Sequence, residues 1–224
     1  MKKKKNIFKS FIPQKIPNQM TLKFFEFLQE INKKKKNKYP LNYEKNIKNY
    51  ENHKKTIEKN LGYIEDQNNY TDMYYGKKQF NECGCEIIAT FNALKDLNYN
   101  NDFSLPLLID YFEKDGIVLN GNFGTSPKAI ENFFKNLNFE TFSSFNEKDC
   151  DFIGNNYHTF VFTFFNDKFN VFNQVHSICI TKKNGKFFTH NNGDDLIFYN
   201  SMKELVFNIN NGNAKLILLI GIKK

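Results

Sequence analysis

The hydrophobic period of this chain changes once, and that change constrains the fold more than any other feature. Before about residue 156 apolar residues recur at helical spacing; from Tyr157 onward they alternate, and they are mostly β-branched or aromatic. The alternation predicts strands over residues 158–165, 175–181, 186–190, 196–199 and 215–222. Asn184-Gly185, between the second and third, is the dipeptide that suits a two-residue hairpin, so those strands are expected to be antiparallel neighbours. Helices first and an antiparallel sheet second is an α+β layout.

In the helical part, Thr21 is placed to cap a helix carrying Leu22, Phe25, Leu28 and Ile31, which runs out at the lysine block 33–36. A second amphipathic helix from about Tyr43 carries Ile47, Tyr50, Ile57, Leu61 and Ile64, with Gly62 positioned to end it. Residues 1–20 read as a basic leader, and 66–76 as a polar loop. Residues 1–70 are therefore expected to form a basic helical N-terminal extension to a domain over 71–224. After a turn at 98–102, Ser104 and Pro106 open a helix with Leu107, Leu108, Tyr111 and Phe112, closed by Gly116. Gly121-Asn122-Phe123-Gly124-Thr125 reads as a turn or cleft wall, and Ser126-Pro127 opens a helix with Ile130, Phe133, Phe134 and Leu137.

Charge narrows the function classes. The net charge is +8, yet residues 1–60 hold 17 lysines and five glutamates while the remainder is acidic, with 15 lysines and 19 acids. All 32 basic residues are lysine, so nothing here reads guanine bidentately as arginine does, and no specific nucleic-acid partner is expected. A solvated lysine-rich face accounts for the excess. Residues 216–220 are the longest apolar run, too short to span a membrane, and the start of the chain is too interrupted for a signal peptide. Four cysteines in a chain long enough to bury its own core do not suggest a secreted disulfide framework, so a cytoplasmic location is expected.

The chemistry centres on residues 79–94. Ile87, Ile88, Phe91 and Leu94 lie at helical spacing, and Cys85 sits in the first turn, where the positive end of the macrodipole favours thiolate. Glu86 beside it is expected to face water. A thiol nucleophile needs a base and the base an orienting group. His176, near the start of the second strand, is the candidate base, and the amide carbonyl of Asn191 or Asn192, at the end of the third, is placed to orient it. His53, His158 and His190 read as structural or surface residues, with His190 the reserve base if His176 points inward, and Cys179, between Ile178 and Ile180, reads as core. Cys83-x-Cys85 has no second close thiol pair, so neither a metal nor another cofactor is expected.

Gln79, Cys85, His176 and Asn191 or Asn192 together resemble, in identity, order and spacing, the papain-like cysteine peptidases, most closely the bacterial branch that includes bacteriocin-leader peptidases. The resemblance covers residues 75–222. It implies a papain-like fold in which the nucleophile helix packs on the sheet, with Gln79 donating to the oxyanion, Cys85 attacking, His176 acting as base and the asparagine orienting it. Cys83-Gly84 also looks like the family's Cys-Gly pair, so Cys83 is an alternative nucleophile. The activity implied is cleavage of a peptide or small amide substrate through a thioester. Acyl transfer from the same intermediate, or peptide binding without turnover, are the alternatives. Oligomeric state leaves no mark in the sequence.

Overall fold

The computed structural model describes residues 12–33, 42–99, 103–170, 174–193 and 198–224. The start of the basic leader, the lysine block at 34–36 and residues 100–102 of the expected turn lie outside them.

Helix α1 (Asn18–Lys33) begins after Pro17, whose carbonyl accepts from the Met20 and Thr21 N–H groups. Thr21 is thus a buried interior residue and not the cap. The second expected helix is two, α2 (Asn42–Tyr50) and α3 (Lys54–Lys59), parted by a turn at 51–53. The loop expected over 66–76 runs into a short hairpin of β1 (Tyr74–Tyr75) and β2 (Lys78–Gln79), then one helical turn, α4 (Phe80–Cys83). Gly84 separates that turn from α5 (Cys85–Asp96). Helices α6 (Leu105–Lys114) and α7 (Pro127–Asn136) each carry proline in the first turn, where its missing N–H is no loss.

The second half holds β3 (Glu140–Ser144), α8 (Cys150–Asn156), β4 (Thr159–Phe165), β5 (Val175–Lys183), β6 (Lys186–His190), β7 (Phe198–Tyr199), α9 (Met202–Asn208) and β8 (Lys215–Lys223). The five expected strands are present as β4 to β8, except that residues 196 and 197 lie outside the described residues. The strand order is β3-β8-β4-β5-β6-β7, with every pair antiparallel. Strand β3 and helices α8 and α9 were not expected, and they change the layout: helices are not confined to the first half. Strand β3 is an edge strand whose Glu140, Thr141, Ser143 and Ser144 carry little apolar pattern.

Side-chain alternation divides two cores across the sheet. Val161 and Cys179, with Leu218, Ile220 and Ile222, pack against Ile87, Ile88, Ala89 and Leu94 of α5. Phe160, Phe162, Phe164, Ile178 and Ile180 point the other way, onto Cys150 and Ile153 of α8 and Met202 and Leu205 of α9. Each such side chain contributes roughly 1.5–3 kcal/mol through burial. In β8 the pairing steps from Leu218 opposite Thr163 to Leu216 opposite Phe164, so Ile217 is a bulge residue. It turns to a third cluster with Phe25 and Leu28 of α1, Val118 and Phe165. The stretch read as an extension also docks elsewhere: Ile57 and Ile64 join the α5 core. Buried Asn46 of α2 clamps β1, its amide donating to the Tyr74 carbonyl and accepting from the Tyr74 N–H, both at 2.8 Å.

Candidate functional site

Helix α5 lies on β5, so its N-terminus delivers Cys85 to the start of that strand. The Cys85 side chain is buried and takes a main-chain hydrogen bond at Ser177. Around it lies a pocket of about 210 Å³, whose walls include Cys83, Glu86, Phe123, Phe165, Gln174 and Val175. Glu86 does not face water. It is 2% exposed, one carboxylate oxygen has no hydrogen-bond partner among the described residues, and a side chain at Gly124 would collide with it. The first turn of α5 is covered by the 121–125 loop, and Gly124, at φ +60, leaves the space the carboxylate fills.

That burial reverses the expected electrostatics. The Cys85 thiol is pushed well above its usual range, first by desolvation and then by the Glu86 charge, with the Ser177 hydrogen bond opposing both. A helix N-terminus is worth roughly 0.3–1 kcal/mol to a nearby anion, too little to offset removal from water. Desolvation also raises the Glu86 carboxyl to about 7, the first turn's own backbone and the Cys85 thiol pulling it back. Cys83 is likewise raised, by burial first and Glu86 second, and its thiol points toward the Gln79 carbonyl at 3.4 Å.

His176 pairs in register with Phe164, and their rings meet edge to face at 5.7 Å. Alternation therefore sends Val175, Ser177 and Cys179 to the α5 side of β5 and His176, Ile178 and Ile180 to the other. The His176 Nε2 lies 2.9 Å from the Asn191 main-chain oxygen. A carbonyl only accepts, so Nε2 carries the proton and the neutral ring keeps a lone pair on Nδ1. Desolvation lowers the His176 pKa, with the Asn191 carbonyl opposing, so the ring is neutral at pH 7.

The structure thus joins His176 to Asn191, through the peptide and not the side-chain amide. The Asn191 side chain is occupied with Gln67, accepting from its N–H at 3.0 Å and donating to its Oε1 at 3.1 Å. Asn192 lines the same cleft as His176, together with Asn68, Asn166 and Asn210. Gln79 is exposed and donates to the Thr71 carbonyl at 3.0 Å, away from the walls of the Cys85 pocket. Cys85 and His176 line different clefts, and no hydrogen bond joins them among the described residues.

Two acids of the site went unmarked in the sequence as participants: Glu86, expected to face water, and Glu65, to which no role was given. Neither has a local signal, because each acquires its place from a distant loop or strand. Of the structural or surface role expected for His190, the structure shows the structural one. The ring is buried, stacked on Tyr63 with ring centroids 4.2 Å apart, and held between Glu65 and Thr181. Among the described residues no group of three or more His, Cys, Asp or Glu is placed to hold a metal ion, and no helix is long and apolar enough to cross a membrane. Comparison with protein-family models, with curated proteins and with solved structures finds no match.

Proposed function

We propose that the chain is a papain-like cysteine hydrolase that cleaves a peptide or small amide bond through a thioester on Cys85. The observation that carries the reading is the tautomer of His176. A neutral imidazole whose Nε2–H is held by the Asn191 carbonyl presents an unprotonated Nδ1, as a general base requires. It stands one residue from Ser177, whose main chain contacts the Cys85 sulfur.

In this mechanism Nδ1 takes the thiol proton and the sulfur attacks the carbonyl carbon. The Cys85 N–H, at the first position of α5, stabilises the oxyanion, since the Glu86 N–H is held by the Glu86 carboxylate. The amine leaves with the proton held by His176, and water then hydrolyses the thioester with His176 again as base. For Nδ1 to reach the sulfur, the start of β5 has to turn on substrate binding so that His176 crosses from the face away from α5, a larger change than the tightening of a preformed contact. The pocket beside the sulfur, walled by Phe123, Phe165 and Val175, suits a small side chain of the substrate. Gln79 assists only by leaving Thr71.

A second reading, peptide binding without turnover, is favoured by the raised thiol pKa and by the missing sulfur–imidazole contact. A thiol-directed activity probe separates the two. The hydrolase reading expects labelling at neutral pH that Cys85→Ala abolishes, Cys83→Ala spares and His176→Ala slows at least tenfold. Labelling that ignores His176, or resides on Cys83, removes it.

A further inference from the structure

We propose that Glu65 is the positioning residue of this site: its two carboxylate oxygens grip the His190–Asn191 turn and so hold the Asn191 carbonyl against His176. The proposal takes its purpose from the hydrolase reading, though its geometry stands apart from it. One Glu65 oxygen lies 2.7 Å from His190 Nδ1, and the other accepts from the Asn191 N–H at 3.2 Å. Between them the chain leaves β6 with Asn191 in the left-handed region, φ +63, and that turn aims the carbonyl at His176 Nε2. Asparagine tolerates this conformation better than most residues, but it still needs an external hold. Glu65 supplies that hold at the main chain, and Gln67 at the side chain.

The grip also spans the site. Gln67 Nε2 donates to the Asn81 carbonyl at 2.8 Å, in α4, four residues before Cys85. Residues 65–67 thus tie the imidazole end of the site to the turn that precedes the nucleophile helix.

A carboxylate holds both donors that converge here at once. Accepting from His190 Nδ1 and from the Asn191 N–H takes two acceptor oxygens, and an amide has one. His190 cannot rotate away, since it is stacked on Tyr63, and its Nε2 lies 3.1 Å from the Thr181 hydroxyl, which can donate or accept. Glutamine at position 65 could keep the Asn191 N–H on its oxygen while its NH₂ faced His190 Nδ1. His190 would then have to move its proton to Nε2 and donate to Thr181. The two histidines therefore respond differently to the same substitution.

The test is ¹⁵N NMR of the full chain labelled at its four histidines, with ring signals assigned by His→Gln variants and folding checked by circular dichroism. Wild type is expected to show His176 protonated on Nε2 alone. In Glu65→Ala that signature is lost to a tautomer mixture. In Glu65→Gln it is retained, while His190 loses its Nδ1 proton. Should the alanine variant not fold, Glu65→Asp, which withdraws the carboxylate by one methylene, is expected to give the same loss at His176. An unchanged His176 in Glu65→Ala or Glu65→Asp overturns the proposal, as does equal disruption by alanine and glutamine. The His176 signals do not depend on turnover. Their loss in Glu65→Ala, with probe labelling that ignores His176, would leave Glu65 as a positioning residue and sink the hydrolase reading alone.

Discussion

The thiol end and the imidazole end of the candidate site are built on opposite principles. Cys85 sits in a pocket walled in part by Phe123, Phe165 and Val175, with a buried acid, where desolvation dominates and pushes the pKa of both titrating groups up. His176 sits in a cleft lined largely by amides, where its tautomer is set by one directed hydrogen bond. The first arrangement suppresses reactivity and the second prepares it. On the hydrolase reading such a site is quiet at rest, and substrate has to supply the change of environment that lets the sulfur ionise.

The largest effect is expected from closing the thiol pocket. Gly124→Val places a β-branched residue at φ +60 and drives its Cβ into the Glu86 carboxylate. Backbone strain of roughly 1–3 kcal/mol and overpacking of similar size should together cost about 4 kcal/mol in urea denaturation. A cost under 1 kcal/mol would mean that the loop does not cover Glu86.

Next is the pH dependence set by Glu86. Its folded pKa, about 7, lies above the ordinary glutamate value of 4.5, so between these values the native state holds a proton that the unfolded chain releases. Stability from this group is therefore present below pH 4.5 and lost as pH rises through 7. Glu86→Gln removes that dependence. Its stability relative to wild type should rise between pH 4.5 and pH 8 by on the order of 3 kcal/mol. A constant difference across that range would place the carboxylate in water.

Substitutions at Asn191 sharpen the comparison from the imidazole side. Asn191→Gly accepts φ +63 freely and keeps the carbonyl, so it should cost about 1 kcal/mol for the lost Gln67 bonds and leave the His176 tautomer intact. Asn191→Ala adds roughly 1–2 kcal/mol of left-handed strain. If glycine disturbs His176 as much as removal of Glu65 does, the side chain and not the peptide is the orienting group. Asn192→Ala, at a half-buried cleft position, should stay within about 0.5 kcal/mol and leave the ring signals unmoved.

Much of the fold was legible because it follows from period. The alternation of 158–165 and 215–222 and the Asn184-Gly185 turn are local signals, and the strands and hairpin stand where those signals lie. Strand β3 escaped because an edge strand need bury little, and α8 and α9 because each is only seven residues long. In the site, the neighbourhood of His176 to Asn191 or Asn192 was readable, but that the link runs to Asn191 through its main-chain carbonyl was not. The sense of the Glu86 side chain was not, since a glutamate in a first helical turn is solvated unless something covers it. What covers it is a loop more than thirty residues downstream.

By itself the sequence determined the α+β class and the strand pairing at the hairpin, because hydrophobic period and turn chemistry act over a few residues. Only the tertiary structure decided that Cys85 and Glu86 are buried together, that Asn191 serves through its carbonyl, and that Glu65 holds it. Burial and hydrogen-bond direction depend on which distant segments meet, and no local pattern records that meeting.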